Sequence, residues 1–185
     1  MRIVAGRNRG RILATPEDRG VRPSSDRLRE AVFSILASRN PPLPQDAVVL
    51  DVFAGTGAMG LEALSRGAVQ VTFIEKDAAA LRLVAENIGR VKGEAACKAI
   101  NRDATDPGVP PAGRPAADLV FLDPPYGKGL CEAALAALAA RGWLKPDALV
   151  VAEHDGQEDP AWPAGFVVLD RRRYGKAAVT FLMRG

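Results

Sequence analysis

The sequence predicts an α/β fold: a mostly parallel sheet with helices on both faces, ending in a C-terminal antiparallel hairpin. Three observations predict it. From Ala47 onward, short β-branched runs alternate with runs of helical period, the pattern of a doubly wound sheet. A glycine-rich turn joins the first of these strands to its helix. The last two apolar runs flank Tyr174-Gly175-Lys176, a turn signal that makes them a hairpin. A chain of 185 residues suits one sizeable core.

The elements follow in order. RIVAGRNRGRIL at the N-terminus reads as a small basic hairpin turning near Asn8 to Gly10. In RPSSDRLREAVFSILAS, Leu28, Ala31, Val32, Ile35 and Leu36 recur at i, i+3, i+4, i+7 and i+8, an amphipathic helix that Ser25 or Asp26 can cap. PPLP (41–44) then separates this appendage, residues 1–44, from the main domain, 45–185. AVVLDVF (47–53) is a strand, followed by the glycine turn and a helix to about Arg66, stopped by Gly67. VQVTFIE (69–75) is a strand, DAAALRLVAENIGRV (77–91) a helix, and AACKAINRD (95–103) a weaker strand. Residues 104–117 hold four prolines and read as a loop. LVFLD (119–123) is a strand and GLCEAALAALAAR (129–141) a helix. ALVVAEH (148–154), FVVLDRR (166–172) and AVTFLMR (178–184) complete the strands.

Composition narrows the function. No apolar run approaches the roughly 18 residues of a membrane span. The start carries arginines but no apolar core, so no signal peptide is expected. Cys97 and Cys131 are too far apart for a CxxC metal site and too few for a disulfide framework, which points to a reducing cytoplasm and no metal. Charge is unevenly placed. Residues 1–39 hold nine arginines and four acids, a net +5, which leaves −2 for the rest. A basic segment on a mildly acidic body suits a polyanionic partner; an arginine-rich solvated surface is the plainer alternative.

DVFAGTGAMG matches GxGxxG at Gly55, Gly57 and Gly60. Glycines let the backbone approach a ligand, and the helix start offers free N–H groups. Glu75, ending the second strand about 20 residues on, is placed to hold ribose hydroxyls. NAD and S-adenosylmethionine (SAM) both suit this pattern. Asp51 favours SAM, because a carboxylate can bind the amino group of SAM and would repel a pyrophosphate. Asp103, ending the third strand, can accept from an adenine amine or be an ordinary strand-end acid.

Asp123-Pro124-Pro125-Tyr126 stops the fourth strand at the carboxyl edge, where open α/β sheets bind ligands. An exocyclic amine on a base is a poor nucleophile while its lone pair is delocalised into the ring. Acceptors that draw its N–H bonds out of plane improve it. Asp123 supplies one and the carbonyl of Pro124 the other, aimed by the fixed φ of proline. Pro125 stiffens the turn, and Tyr126 can stack on the base.

These residues in this order resemble the Rossmann-like SAM-dependent amino-methyltransferases with their [DNS]PP[YFW] motif. RIVAGRNRGRIL, RPSSDRLREAVFSIL, DVFAGTGAMGLEALSRGA, FIEKD, DLVFLDPPYGKG and RGWLKPDALVVAE together resemble the bacterial RsmD family. That resemblance implies methyl transfer from SAM to guanine N2 in small-subunit (16S) rRNA, either naked or within an assembled or partly assembled subunit, by a monomer. It implies SAM at Asp51, Gly55, Gly57, Glu75 and Asp103, and the base at Asp123, Pro124, Pro125 and Tyr126. Arg2, Arg7, Arg9, Arg11 and Arg22 would grip RNA phosphates, setting register rather than reading sequence. Residues 92–116 carry the resemblance least, which makes Asp103 its weakest point. Arg171, Arg172 and Arg173 either add RNA contacts or guard a strand edge. The rival readings are an adenine-N6 or cytosine-N4 DNA or tRNA methyltransferase, an NAD-dependent dehydrogenase, and a non-catalytic RNA-binding assembly factor. A DNA enzyme usually needs a target-recognition domain for which this chain has no room. A dehydrogenase leaves the Asp-Pro-Pro-Tyr turn without a task.

Overall fold

The computed structural model describes residues 1–16 and 23–185. Its elements are α1 (Pro23–Ala37), β1 (Val48–Val52), α2 (Ala58–Ser65), β2 (Gln70–Glu75), α3 (Ala78–Arg90), β3 (Cys97–Asn101), β4 (Ala117–Leu122), α4 (Leu130–Ala140), β5 (Leu144–Asp155), β6 (Phe166–Tyr174) and β7 (Ala177–Arg184). The strands form one seven-stranded sheet in the order β3-β2-β1-β4-β5-β7-β6. β1 to β5 are parallel, and β7 runs antiparallel between β5 and β6. The order reverses beside β1, which opens a crevice at the carboxyl ends of β1 and β4.

Strand period sorts the side chains into two cores. Val49, Val71, Phe73, Leu119, Phe121, Leu149 and Val151 face one way, packing with Leu61 and Leu64 of α2 and Val84 and Ile88 of α3. Leu50, Val52, Val120, Leu122 and Val150 face the other, against Leu135 and Leu138 of α4. Four strands run past their expected bounds, β6 through Tyr174 and β7 from Ala177 among them. β4 begins at Ala117, where Ala117 N–H donates to Trp143 O, and β5 reaches back to Leu144. Apolar patterning misses these extensions because β5 enters through Lys145-Pro146-Asp147, which is polar.

α1 starts at Pro23, so Ser25 and Asp26 fall inside its first turn rather than at a cap. Asp26 instead accepts from Arg29 Nη2 at 3.1 Å. The N-terminal arm is hairpin-like, with one bridge, Arg2 to Ile12, and the expected turn at residues 6–10. It packs tightly on the sheet domain: Ile3 and Leu13 of the arm and Val32, Phe33 and Leu36 of α1 belong to the same core as β1 and β2. Phe33 lies 5.5 Å from Phe121 between ring centroids, and Arg66 covers the Phe33 ring. Burying a ring of that size contributes about 1.5–3 kcal/mol.

Polar groups complete the attachment. Glu62 of α2, fully buried, accepts from Val4 N at 2.8 Å, Ala5 N at 3.0 Å and Arg66 Nε at 2.7 Å. Ser65 Oγ accepts from Asn8 N and donates to Ala5 O. A methyl group on Gly6, which has φ +80°, would collide with Ser65 O, so that close approach requires glycine.

At the other end, β6 is an edge strand. It exposes Val167, Val168 and Leu169 and carries the pairs Arg171–Asp159 and Arg172–Asp170. A register shift between Val168 and Asp170 interrupts its ladder, and charge and bulge together blunt an edge. Among the described residues no helix is long and apolar enough to cross a membrane.

Candidate active site

Four acids extend the first core's rows past its apolar part. Asp51 follows Val49 on β1, Glu75 follows Phe73 on β2, Asp123 follows Phe121 on β4, and Glu153 follows Val151 on β5. Each stands two residues beyond a core side chain, so strand period turns all four toward the same face. Registers align them. Asp51 pairs with Phe73 and Phe121, and one step past Leu122↔Ala152 brings residue 123 beside residue 153. The crevice is therefore lined with carboxylates.

Its chemistry follows from that crowding. Asp51 is buried, and Gly60 N–H donates to its Oδ2 at 2.8 Å. Burial pushes its pKa up to about 7 against that hydrogen bond, with Glu75 adding repulsion. Asp123 reaches solvent through the crevice but is ringed by protein atoms. Desolvation raises its pKa well above the carboxylate range, and the negative charges of Glu153 and Asp51 raise it further. Glu153 is also raised, by burial. Such a cluster suits a ligand that brings positive charge.

The glycine turn has distinct work for each glycine. Gly55 (φ +55°) is loosely surrounded, a Cβ there meeting only Phe53 O at 3.9 Å, so backbone can meet a ligand. Gly57 (φ +75°) begins α2 as an uncapped left-handed residue. A methyl group on Gly60 would lie 2.5 Å from the Phe73 ring, so this glycine lets α2 press onto β2. Glu75 reaches across the turn: Oε2 accepts from Gly55 N at 3.0 Å and Oε1 from Asp77 N at 2.9 Å. Phe53 holds φ +59°, a sparsely populated region for an aromatic residue, of the kind that clusters at binding sites. Nothing in the sequence announces it.

The Asp-Pro-Pro-Tyr turn leaves β4 as expected. Pro124 is buried, whereas Pro125 and Tyr126 are exposed. Tyr126 hydroxyl donates to Glu153 Oε1 at 2.5 Å, and Gly127 N–H to Glu158 Oε1 at 2.6 Å. A cleft of about 300 Å³ borders this turn rather than the glycine turn, between Pro124–Glu132 and His154, Glu158, Asp159 and Pro160. His154 is buried there. Its Nδ1 donates to Asp155 O, and its Nε2 accepts from the Thr180 hydroxyl, both at 2.9 Å.

Asp103 stands apart from the four acids. Its Oδ1 accepts from Thr105 N and Oγ1, and its Oδ2 from Lys76 Nζ at 3.1 Å. Thr105 first, then Lys76, holds its pKa below the usual value. Arg2, Arg7, Arg9 and Arg11 are exposed along the arm, and Arg11 Nη1 donates to Arg90 O at 3.1 Å. Arg22 lies outside the described residues. Two residues that sequence reasoning missed tie arm to turn. Asn87, fully buried on α3, accepts from Ala14 N at 2.6 Å and donates to Ala14 O and Thr56 O. Met1 Sδ accepts from Thr56 Oγ1 at 3.7 Å.

Comparison with known proteins adds a family and a fold. A family model described as conserved hypothetical protein 95 matches residues 1–183. The chain is 37% identical over 185 residues to ribosomal RNA small subunit methyltransferase D of Escherichia coli K12, covering 100% of this chain and 90% of that protein. It is 36% identical over 176 residues to the protein of the same name from Haemophilus influenzae, covering 95% and 89%. The solved structure of yhhF from Escherichia coli superposes with a TM-score of 0.84 at 35% identity, covering 100% of this chain and 97% of that one. The sheet is that of a Rossmann-like methyltransferase.

Proposed function

The chain belongs to the RsmD family, whose model is described as conserved hypothetical protein 95, and from that premise we propose that it transfers a methyl group from SAM to the exocyclic N2 of a guanine in small-subunit (16S) rRNA. The observation that carries this reading is Asp123-Pro124-Pro125-Tyr126 beside Asp51 and Glu153 at the carboxyl ends of β1, β4 and β5. When bound, SAM would supply an electrophilic methyl group on a sulfonium, with S-adenosylhomocysteine as the product. The residues fit that group. Carboxylates crowded enough to raise one another's pKa gain from a cationic neighbour. Asp51 takes the amino group, Glu75 the ribose hydroxyls, and Gly55 and Gly57 the close backbone approach. Asp103 takes the adenine amine only by sharing oxygens with Thr105 and Lys76.

On the substrate side, Asp123 and the Pro124 carbonyl accept the two N–H bonds of the amine, freeing its lone pair. A carboxylate of raised pKa is also a competent acceptor for the proton that the methylated amine must lose. Tyr126 stacks on the base, which must be unpaired or flipped out to reach it. The reaction is tested by mapping modified bases in 16S rRNA from a deletion strain. A full complement of N2-methylguanine there would reject the assignment.

Cofactor choice has its own test. Glu75→Ala removes a charged acceptor worth roughly 1.5–3 kcal/mol per hydrogen bond, a loss of about 10- to 100-fold in SAM affinity. Calorimetry in which NAD bound more tightly than SAM would overturn the cofactor.

The partner is RNA, met first by phosphate contacts from Arg2, Arg7, Arg9, Arg11 and Arg22. Each contact steepens the fall of log K with log salt by roughly 0.7–0.9. Changing all five to glutamine should flatten that slope and leave SAM titration unchanged. Substitution is the proper test, because the arm is part of the core. An unchanged slope in filter binding would assign the arginines to surface solvation alone.

A further inference from the structure

The loop that presents Tyr126 is tied down at its backbone by Gly127 N–H, which donates to Glu158 Oε1, and otherwise stands open. Residues 125–129 are all exposed, and Gly127 and Gly129 both take positive φ. Tyr126 leaves 41% of its surface open. Its hydroxyl is nevertheless fixed, donating at 2.5 Å to a carboxylate rooted in the long central strand β5. An O–H···O⁻ bond of that length is of the strong, charge-assisted kind. Resting on the function proposed above, we propose that Glu153 is a positioning residue for methyl transfer, holding the Tyr126 ring by its hydroxyl so that the open face of the ring meets the target base beside Asp123.

Glu153 acts at a second point. It is the largest charge contribution to the raised pKa of Asp123, ahead of Asp51. The charged and titratable groups around the pair come from every neighbouring element: Asp51 of β1, Asp123 and Tyr126 of the β4 turn, His154 and Asp155 of β5, Cys131 and Glu132 of α4, and Glu158 after β5. Among the described residues, α1 and α2 add Leu28, Val32 and Met59, which are apolar. A negative Glu153 therefore keeps Asp123 basic while it anchors the ring.

Kinetics on rRNA with the full chain separate the two effects. Glu153→Ala and Tyr126→Phe each release the ring and should raise KM for RNA roughly three- to tenfold, the cost of ordering one side chain on binding. SAM affinity should stay within about twofold. The two changes remove one bond, so the double variant should be no worse than the poorer single one. Glu153→Gln keeps an oxygen that accepts from Tyr126 but removes the charge. Its KM should stay near wild type while the acid limb of kcat moves to lower pH, since Asp123 loses a like-charged neighbour.

A second readout needs no substrate. The chain has only two tyrosines, Tyr126 and Tyr174, so 3-fluorotyrosine labelling gives two fluorine resonances. Glu153→Ala should shift and narrow the Tyr126 signal and leave that of Tyr174 in place. Multiplicative effects in the double variant, or an unmoved Tyr126 resonance, would overturn the role. If Glu153→Ala does not fold, Glu153→Leu, which fills the space and offers the hydroxyl no acceptor, takes its place in the cycle. If wild type binds SAM but methylates no rRNA, the substrate reading fails, and the fluorine signal alone decides Glu153.

Discussion

Asp123→Ala is expected to cut single-turnover methyl transfer by on the order of 10²–10⁴ while SAM affinity changes only a few-fold. Asp123 sits two residues past Phe121, on the crevice face, where the proposed reaction needs an acceptor for the amine of the base. Asp123→Asn should retain more activity than Asp123→Ala, because an amide oxygen still accepts one N–H bond of the amine. The pH profile distinguishes the two duties of the carboxylate. Its pKa is raised by desolvation and by Glu153 and Asp51, so it becomes protonated, and stops accepting, at a pH above the ordinary carboxylate range. Activity is present above that pKa and lost as pH falls through it. Asparagine does not titrate, so Asp123→Asn should lose this limb and show a lower, flatter plateau. Equal rates for wild type and Asp123→Ala would remove Asp123 from the reaction. An unchanged acid limb in Asp123→Asn would limit it to polarising the amine.

Much of this site could be read before any coordinates. Local patterns carried it: β-branched runs ending in acids, glycines at fixed spacing, and prolines that stop a strand. The alternation of β1, β2 and β4 puts Asp51, Glu75 and Asp123 on one face; Glu153, missed from the sequence, falls on that face by the same count along ALVVAEH. What stayed hidden depends on pairs distant in the chain. Tyr126 and Glu153 are 27 residues apart, Ala5 and Glu62 57, and Ala14 and Asn87 73. Glu62 and Asn87 look like ordinary helical polar residues, and only packing buries them. The hairpin at the C-terminus was legible, but its docking was not. β7 inserts beside β5, burying Val179, Phe181 and Leu182, while the equally apolar Val167, Val168 and Leu169 of β6 stay exposed at the edge. Asp103 shows the reverse limit, since a strand-end acid reads the same whatever surrounds it, and its bonds to Thr105 and Lys76 come only from the fold.

Glu62→Ala is expected to be the most destabilising single change near the arm. Glu62 is fully buried and serves the backbone N–H groups of Val4 and Ala5, the Nε of Arg66 and, at 3.7 Å, the Nε of Arg29. Arg29 is itself only 3% exposed and also binds Arg2 O, so it joins α1 to the arm at the same point. Removing the carboxylate leaves a buried guanidinium with less compensation and two N–H groups with no acceptor. Breaking a buried pair from one side costs about 3–5 kcal/mol. For a chain of this size each kcal/mol moves Tm by about 2–4 °C, so the fall should be roughly 6–20 °C. Glu62→Gln should recover part of it, because one amide oxygen still accepts while the –NH₂ group faces a second donor. The glutamine substitutions at Arg2, Arg7, Arg9 and Arg11 touch only exposed side chains and should melt within about 2 °C of wild type. Deleting residues 1–12 should also lower Tm strongly, since it removes two of the four partners of the carboxylate, Val4 N and Ala5 N, together with the buried Ile3. Scanning calorimetry on these variants separates an arm that holds the fold from one that only holds RNA. A Glu62→Ala protein melting with wild type would return residues 1–12 to the status of a loosely attached appendage.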